Sequence, residues 1–457
     1  MYTKDLPKEN EFIAGEGIYF GTDMFETGLN NNVMVVGGSG SGKTRNVIMP
    51  NLLQMNGSSS AIISDPKDVL YDSFNEYLKN RGYSVKKIDL THPEESSSHF
   101  NIFDFIKNEN DIVKLSHIII STGEGKNKSN HKDIFWDETS EILLQSIIFY
   151  MFEELSENER NMKKVVELLN FFFVPFFEKI DFYIESDQEI RAKREERRKY
   201  QKSGIPLETK LDKIMIDLEF KKPDSIAVKK FKAVRCSADV TYQSILVSVH
   251  AKVEKYSTPA LDMIMCRNDI DFVEMGERPT VCFFVCSDTD RSQDDLGALF
   301  FSIALNELCD STLKNSDRRL KLPVRIILDD AAASLKIESL PEYISMVRSR
   351  NISIMVVVQS EGQLKTIYEK DAQTIIDNCD TYIFLGSNSV ETADSVAKRS
   401  NENLYSILQL PVGEGRVFRR GSVPIKCKVF DTNRFIEIKN KERNDLLKSD
   451  KDKEVHV

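Results

Sequence analysis

The sequence predicts an α/β fold: a parallel central sheet that carries a glycine-rich loop and is interrupted by an inserted all-α domain. Three observations predict it. Strand and helix signals alternate through the first hundred residues and return after about residue 270. A glycine-rich loop, GGSGSGKT, falls between a short buried strand and a helix. Between the two alternating stretches, residues 115–270 lose the alternation and read as helices. The expected organisation is therefore 1–114 as the first part of the α/β domain, 115–270 as the insertion, 271–435 as the second part and 436–457 as a charged tail.

Val33–Val36 (VMVV) has the look of a short buried strand, and a helix is expected from about Lys43 to Gln54. Ala61–Ser64 (AIIS) is a second strand, ended by Asp65-Pro66. Val69–Asn80 reads as a helix stopped near Gly82, and Val85–Leu90 as a further strand. Such alternation implies parallel strands with helices on both faces. In the middle, Trp136, Ile142, Leu143, Ile147 and Tyr150 recur at helical spacing over Asp133–Glu154. Val165–Phe177 is a second apolar helix candidate. Glu185–Lys202 is dense in charge and reads as a solvated helix before a loop at Gly204-Ile205-Pro206, and helical segments continue to about Val253. The alternation then resumes: strand Thr280–Val285, helix Leu296–Leu313, strand Val324–Leu328, helix around Pro341–Arg348, and the uncharged strand Ile352–Val358, whose composition suits a sheet centre. Thr381–Leu385 is another strand, and Arg416–Phe430 reads as a closing hairpin. The tail from Lys439 is charge-rich and expected to fray.

Composition narrows the function. Hydrophobic residues make up 41% and charged residues 29%, enough for a sizeable core. The net charge of -10 excludes a generally basic nucleic-acid coat, though not a local basic groove. The basic residues of 185–235, such as Arg197, Arg198 and Lys230, read better as a solvated face than as a nucleic-acid track. Seven scattered cysteines include no C-x-x-C and no completing histidine pair, so buried reduced thiols are expected rather than a zinc site. The most apolar stretch, Leu168–Phe177, is half the ~20 residues a membrane span needs, and no signal peptide opens the chain.

The chemistry begins at the loop. Gly37, Gly38, Ser39, Gly40, Ser41, Gly42, Lys43 and Thr44 match G-x-x-x-x-G-K-[ST]. Glycines let the backbone curl so that successive N–H groups face phosphate oxygens, and the following helix adds its N-terminal dipole. Lys43 is expected to reach the β- and γ-phosphates of ATP, and Thr44 to offer its hydroxyl to Mg²⁺. Such a site needs an acid at the end of a buried strand. VRIIL ends in Asp329-Asp330, which places Asp329 for the magnesium shell, mostly through water, and Asp330 to polarise the attacking water. Strands often end in Asp, and the loop is what lends this pair weight. Gln359 ends ISIMVVV, where ligands of such sheets sit, and can contact the γ-phosphate or orient water. Asp65 and Lys67 end the second strand on the same edge, where a plain Asp-Pro turn competes with a functional role. Arg348 and Arg350 lie on a helix-to-strand connection; an arginine donated by a neighbouring subunit stabilises phosphoryl transfer in related chemistry.

The string RIILDDAAASLKIESLPEYISMVRSRNISIMVVVQSEGQL, Arg325–Leu364, resembles a signature block of the type IV secretion coupling proteins of the TraG/TraD type. These are conjugative DNA-transfer ATPases with a RecA-like core related to the FtsK translocases. The loop followed by PNLL, the segment IISDPKDVLY, Phe135-Trp136 and DNCDTYIFLG agree with it. The resemblance covers about residues 30–430. It implies a RecA-like P-loop NTPase core with an inserted all-α domain, Lys43 and Thr44 on nucleotide and metal, Asp329 as the Walker B acid, Gln359 as the γ-phosphate-sensing glutamine, and Arg348 or Arg350 as the arginine given in trans.

The function so implied is ATP-driven delivery of single-stranded DNA with its relaxase to the proteins of a type IV secretion channel, by a homo-oligomer, a hexamer when active. A soluble double-stranded DNA translocase of the FtsK or HerA kind, and a nucleotide-binding docking module with little turnover, are the alternatives. Two features depart from the family. Asp330 stands where Asp-Glu is usual, one methylene shorter. Only 36 residues precede Gly37 and none can span a bilayer, where most members begin with transmembrane helices. The expectation is a cytoplasmic protein recruited to the inner face of the cell membrane by a separate anchor protein, or one whose anchor is absent from this chain.

Overall fold

A computed structural model describes residues 6–121, 131–174, 187–202, 209–287, 289–330, 335–337 and 339–437. The Gly204–Pro206 loop, the end of the Leu168–Phe177 run, the side chain of Arg197 and the tail from Lys439 lie outside them. The chain folds as two compact units, Met1–Thr91 with Asp271–Val457, and His92–Ile270. The division after Thr91 comes earlier than the change of texture at 114. The short turn Ile102–Phe105 and the helix Glu109–Ser121 bury their apolar residues inside the second unit, although their sequence does not differ from the strand-and-helix stretch before them.

The first unit is built on a nine-stranded sheet. Its strands are β3 (Val33–Val36), β4 (Ser60–Ser64), β5 (Ser84–Asp89), β6 (Thr280–Val285), β7 (Val324–Asp329), β8 (Ile352–Val358), β9 (Thr381–Phe384), β10 (Glu414–Arg419) and β11 (Ile425–Lys428), in the spatial order β11-β10-β9-β3-β8-β7-β4-β6-β5. Strands β3 to β9 run parallel, and the β10–β11 hairpin closes the sheet antiparallel. The uncharged β8 lies between β3 and β7, as a strand buried on both faces should. One face packs under the helix Val69–Lys79 and the turns after β3, burying Val35, Ile63, Phe283, Ile327 and Val357 with Leu52, Leu70 and Phe74. The other face is closed by Asp294–Thr312, where Phe284 stacks on Phe300 with ring centroids 4.4 Å apart.

An N-terminal hairpin, β1 (Glu11–Gly15) with β2 (Ile18–Gly21), was not legible in the sequence. Its glycines break the apolar alternation, and a side chain outside it pins it: Asn51 accepts from the Ile13 N–H at 2.9 Å and donates to the Ile13 carbonyl at 2.9 Å.

The second unit is helical. His131–Glu154, Ile226–Arg235 and Asp239–Glu254 bury Leu143, Ile147, Phe231 and Ile245 together. The Val165–Phe177 helix is shorter than expected: it spans Met162–Asn170 and ends in a tight turn at Phe171–Phe173. Inside this unit Arg235 pairs with buried Asp212 at 2.9 Å and lies over the Tyr242 ring. All seven cysteines are free thiols, but not all are buried as expected. Cys236 and Cys266 are exposed, because each ends a helix with its side chain facing outward.

Candidate functional site

The carboxyl ends of β3, β4, β7 and β8 form one edge, and the glycine loop is stretched across it. Gly37 N–H donates to the Val358 carbonyl at 3.1 Å and Gly38 N–H to the Gly386 carbonyl at 2.8 Å, so the start of the loop is tied to both neighbouring strands. Gly40 and Gly42 sit at φ 75° and 88°, in the left-handed region that glycine enters freely. A Cβ at Gly42 would also collide with the Asn46 side chain. The chain then opens into a wide helical turn, Thr44–Ile48, before Met49–Leu53.

Lys43 is 8% exposed and donates to the carbonyls of Gly37 at 2.7 Å and Gly38 at 3.3 Å. Thr44 Oγ1 donates to Asp329 Oδ2 at 2.6 Å, joining residues 285 positions apart. Asp329 is the last residue of β7 and is 5% exposed. Burial pushes its carboxyl up to about 6; the Thr44 hydrogen bond works against this, the Asp330 charge adds to it, and Lys43 and Lys67 lower it. Asp330 follows at φ 52°, its N–H donating to the Val357 carbonyl at 3.1 Å. Asp is among the residues that tolerate this conformation.

These groups converge on a cavity of about 500 Å³, lined among others by Gly40, Gly42, Lys43, Thr44, Asp329, Asp330 and Gln359. Gln359 lines it from the end of β8, and its N–H donates to Gln363 Oε1 at 2.8 Å. Ser39 lines the cavity too, while Ser41 does not, its hydroxyl being buried without a hydrogen-bond partner among the described residues. Lys67 lines it, but Asp65 does not. Asp65 Oδ2 accepts from Tyr71 N–H at 2.8 Å, so it caps the following helix, and burial raises its carboxyl to about 6.

Among the lining residues that escaped sequence reasoning are Gln363 and Arg291. Gln363 lies one helical turn beyond Gln359, a spacing that could have suggested it. Arg291, in the loop after β6 and paired with Asp294 at 3.5 Å, belongs to the same sheet edge, but nothing in RSQDD marks it. Arg348 and Arg350 are not brought to this cavity. They precede β8 and so lie at its opposite end, and the Arg350 guanidinium donates to the Met346 carbonyl at 3.2 Å.

The arrangement fits a nucleotide with its metal. The backbone nest suits phosphate oxygens. A hydroxyl and a carboxylate side by side are hard oxygen donors of the kind magnesium takes.

Residues 1–401 match the family described as Type IV secretory system Conjugative DNA transfer. Among solved structures, the chain is similar to the bacterial conjugative coupling protein TrwBdeltaN70 in complex with sulphate, at 15% identity and TM-score 0.60, over 93% of this chain and 90% of that one. It is similar to plasmid coupling protein TrwB in complex with ADP and Mg²⁺, at 15% identity and TM-score 0.60, over 92% and 89%. VirB4 of Thermoanaerobacter pseudethanolicus matches at 13% identity and TM-score 0.52, over 93% and 97%. At these identities the structural likeness shows the fold. No curated protein matches the chain.

Proposed function

The chain belongs to the type IV secretory system conjugative DNA transfer family, and from that premise we propose that it is an ATP-driven coupling protein that delivers single-stranded DNA, with its relaxase, to a type IV secretion channel. The observation that carries the ATPase part of this reading is the Thr44–Asp329 contact at 2.6 Å, in one cavity with Lys43 and Gln359. A bound Mg²⁺–ATP supplies the transferable phosphoryl group and the divalent charge that neutralises its oxygens. The protein's part is then divided among its own residues. Lys43, now on the Gly37 and Gly38 carbonyls, would turn to phosphate oxygens. Thr44 and Asp329 would hold the magnesium. Asp330 would polarise the attacking water and Gln359 would sense the γ-phosphate. Arg348 or Arg350 serves a neighbouring subunit in a hexameric ring, and the helical unit selects substrate. The reading includes recruitment to the inner face of the membrane through a separate anchor protein; among the described residues no helix is long and apolar enough to cross a membrane.

ATP hydrolysis by the purified chain, with and without single-stranded DNA, tests the reading. Stimulation by DNA, abolished together with conjugative transfer by Lys43→Ala, is the expected result. Undiminished ATPase and transfer in Lys43→Ala would refute it. A second reading, a nucleotide-binding docking module with little turnover, draws support from the short acid Asp330 in its left-handed backbone. Nucleotide binding without turnover under any DNA condition would favour it.

A further inference from the structure

The sequence deprives one backbone carbonyl beside the glycine loop of its helical donors. Thr44–Ile48 is a wide helical turn, in which the Met49 N–H donates to the Thr44 carbonyl five residues back. The next carbonyl, that of Arg45, loses twice by this. At ordinary helical spacing its donor is Met49, already engaged. At the wide spacing its donor is Pro50, which has no N–H. A helix carbonyl so placed takes its donor from elsewhere.

That donor is Thr432. Its hydroxyl donates to the Arg45 carbonyl at 2.6 Å, across 387 positions of sequence. Thr432 is 2% exposed. It follows β11 and lies between Phe430 and Phe435, which meet edge to face at 5.3 Å. Both rings pack into the same core as Val47 and Ile48 of the wide turn. Two aromatic anchors thus fix the backbone on either side of Thr432, and packing aims its hydroxyl.

Arg45 adjoins Thr44, whose hydroxyl donates to Asp329 at 2.6 Å, and both line the nucleotide cavity. Without the Thr432 hydroxyl, the Arg45 carbonyl regains a donor by drawing the Met49 N–H away from Thr44. That closes the turn to ordinary spacing and rotates Thr44 by about 100° relative to Met49–Leu53, the angle of one helical residue. The Thr44 hydroxyl then leaves the Asp329 carboxyl. We propose that Thr432 is a positioning residue for the metal shell: by answering the Arg45 carbonyl it holds the turn open and keeps Thr44 in register with Asp329. This rests on the reading of the cavity as a Mg²⁺–ATP site. It makes the Phe430–Phe435 segment a support of that site, tying the end of the closing hairpin to the glycine loop.

Binding of a fluorescent ATP analogue to the full chain, titrated in Mg²⁺ and again in EDTA, tests this. Thr432→Val removes the hydroxyl at nearly constant shape. It is expected to weaken binding in Mg²⁺ about fivefold, the order seen when a buried acceptor loses its donor, and to leave binding in EDTA little changed. Thr432→Ser keeps the hydroxyl and is expected to restore the magnesium dependence. Thr44→Val is expected to lose that dependence, and adding Thr432→Val to it to cost nothing more, since both act through one group. Circular dichroism establishes that each variant folds; should Thr432→Val not fold, Thr432→Ala carries the comparison. Equal weakening with and without Mg²⁺, no rescue by serine, or a further loss in the double variant shows a merely structural contact and overturns the proposal. Unchanged magnesium dependence in Thr432→Val beside a clear loss in Thr44→Val overturns it and spares the site. Unchanged dependence in Thr44→Val overturns the reading of the site itself, and the proposal with it.

Discussion

Replacing Asp329 by Asn is expected to stabilise the nucleotide-free protein at neutral pH while removing its hold on magnesium. Asp329 is buried to 5% exposure, and its carboxyl is raised from 3.8 to about 6, chiefly by loss of water. A folded-state value above the unfolded one means that the protonated form favours folding. That contribution is complete below about pH 4 and is lost as pH rises through about 6. At pH 7.5 the folded chain therefore holds an ionised acid in an unfavourable place. About two pKa units correspond to a ceiling of about 3 kcal/mol. Asn keeps an acceptor for the Thr44 hydroxyl, now at 2.6 Å from Asp329, so little packing is lost. Imperfect amide placement brings the expected gain to about 1–2 kcal/mol, or a few degrees in the melting transition of a unit this size. The assay is thermal unfolding of wild type and Asp329→Asn without nucleotide, at pH 7.5 and again near pH 4.5. A gain at pH 7.5 that shrinks at the lower pH is the expected pattern. Added Mg²⁺–ATP should then stabilise wild type more than the variant. A variant that is less stable than wild type at pH 7.5, or equally shifted at both values, would refute the reasoning that the acid is held against its preference.

Further outcomes follow from the same geometry. Magnesium-dependent nucleotide binding should weaken as pH falls through about 6, because Asp329 takes up a proton there; a flat profile from pH 7.5 to 5 would count against its role. Asp330→Glu should speed turnover if the short acid is a brake, at a stability cost of about 1 kcal/mol for a longer side chain at φ 52°; unchanged turnover in a folded variant sinks the brake. Gly42→Ala should reduce nucleotide affinity at least about tenfold, since φ 88° and the Asn46 side chain both oppose a Cβ; unaltered binding would show that the loop adapts. Mixing Lys43→Ala with Arg348→Ala should recover part of the ATPase that each lacks alone, as Arg348 is exposed and far from its own cavity; no recovery speaks against donation in trans.

How much was legible depends on whether a residue's role was local. The bounds of β6 and β8 agree residue for residue with their apolar runs, because a parallel strand buried on both faces must be apolar throughout. The glycine loop was legible because its chemistry lies within eight consecutive residues. Asp329 could be singled out by strand-end logic, but its contact with Thr44 is a product of topology, since β3, β8 and β7 are neighbours only in space. Arg291 had no signal at all, since it reaches the site only through the loop after β6. The division at Thr91 was missed for a similar reason: apolar spacing reveals a helix, not the unit into which it packs.

The sheet itself separates the site's labour. The seven-residue β8 spans about 20 Å, with Gln359 at one end and Arg350 just before the other. No side chain reaches that far, so the arginines before β8 cannot meet a phosphate bound in their own chain's loop. The same strands carry Arg325 at their beginning and Asp329 at their end on β7. A subunit built this way carries its glycine loop and Asp329 at one edge of the sheet and Arg348 and Arg350 at the other. In the ring proposed above, that polarity would let one copy's Arg348 or Arg350 face the next copy's nucleotide edge, a head-to-tail contact.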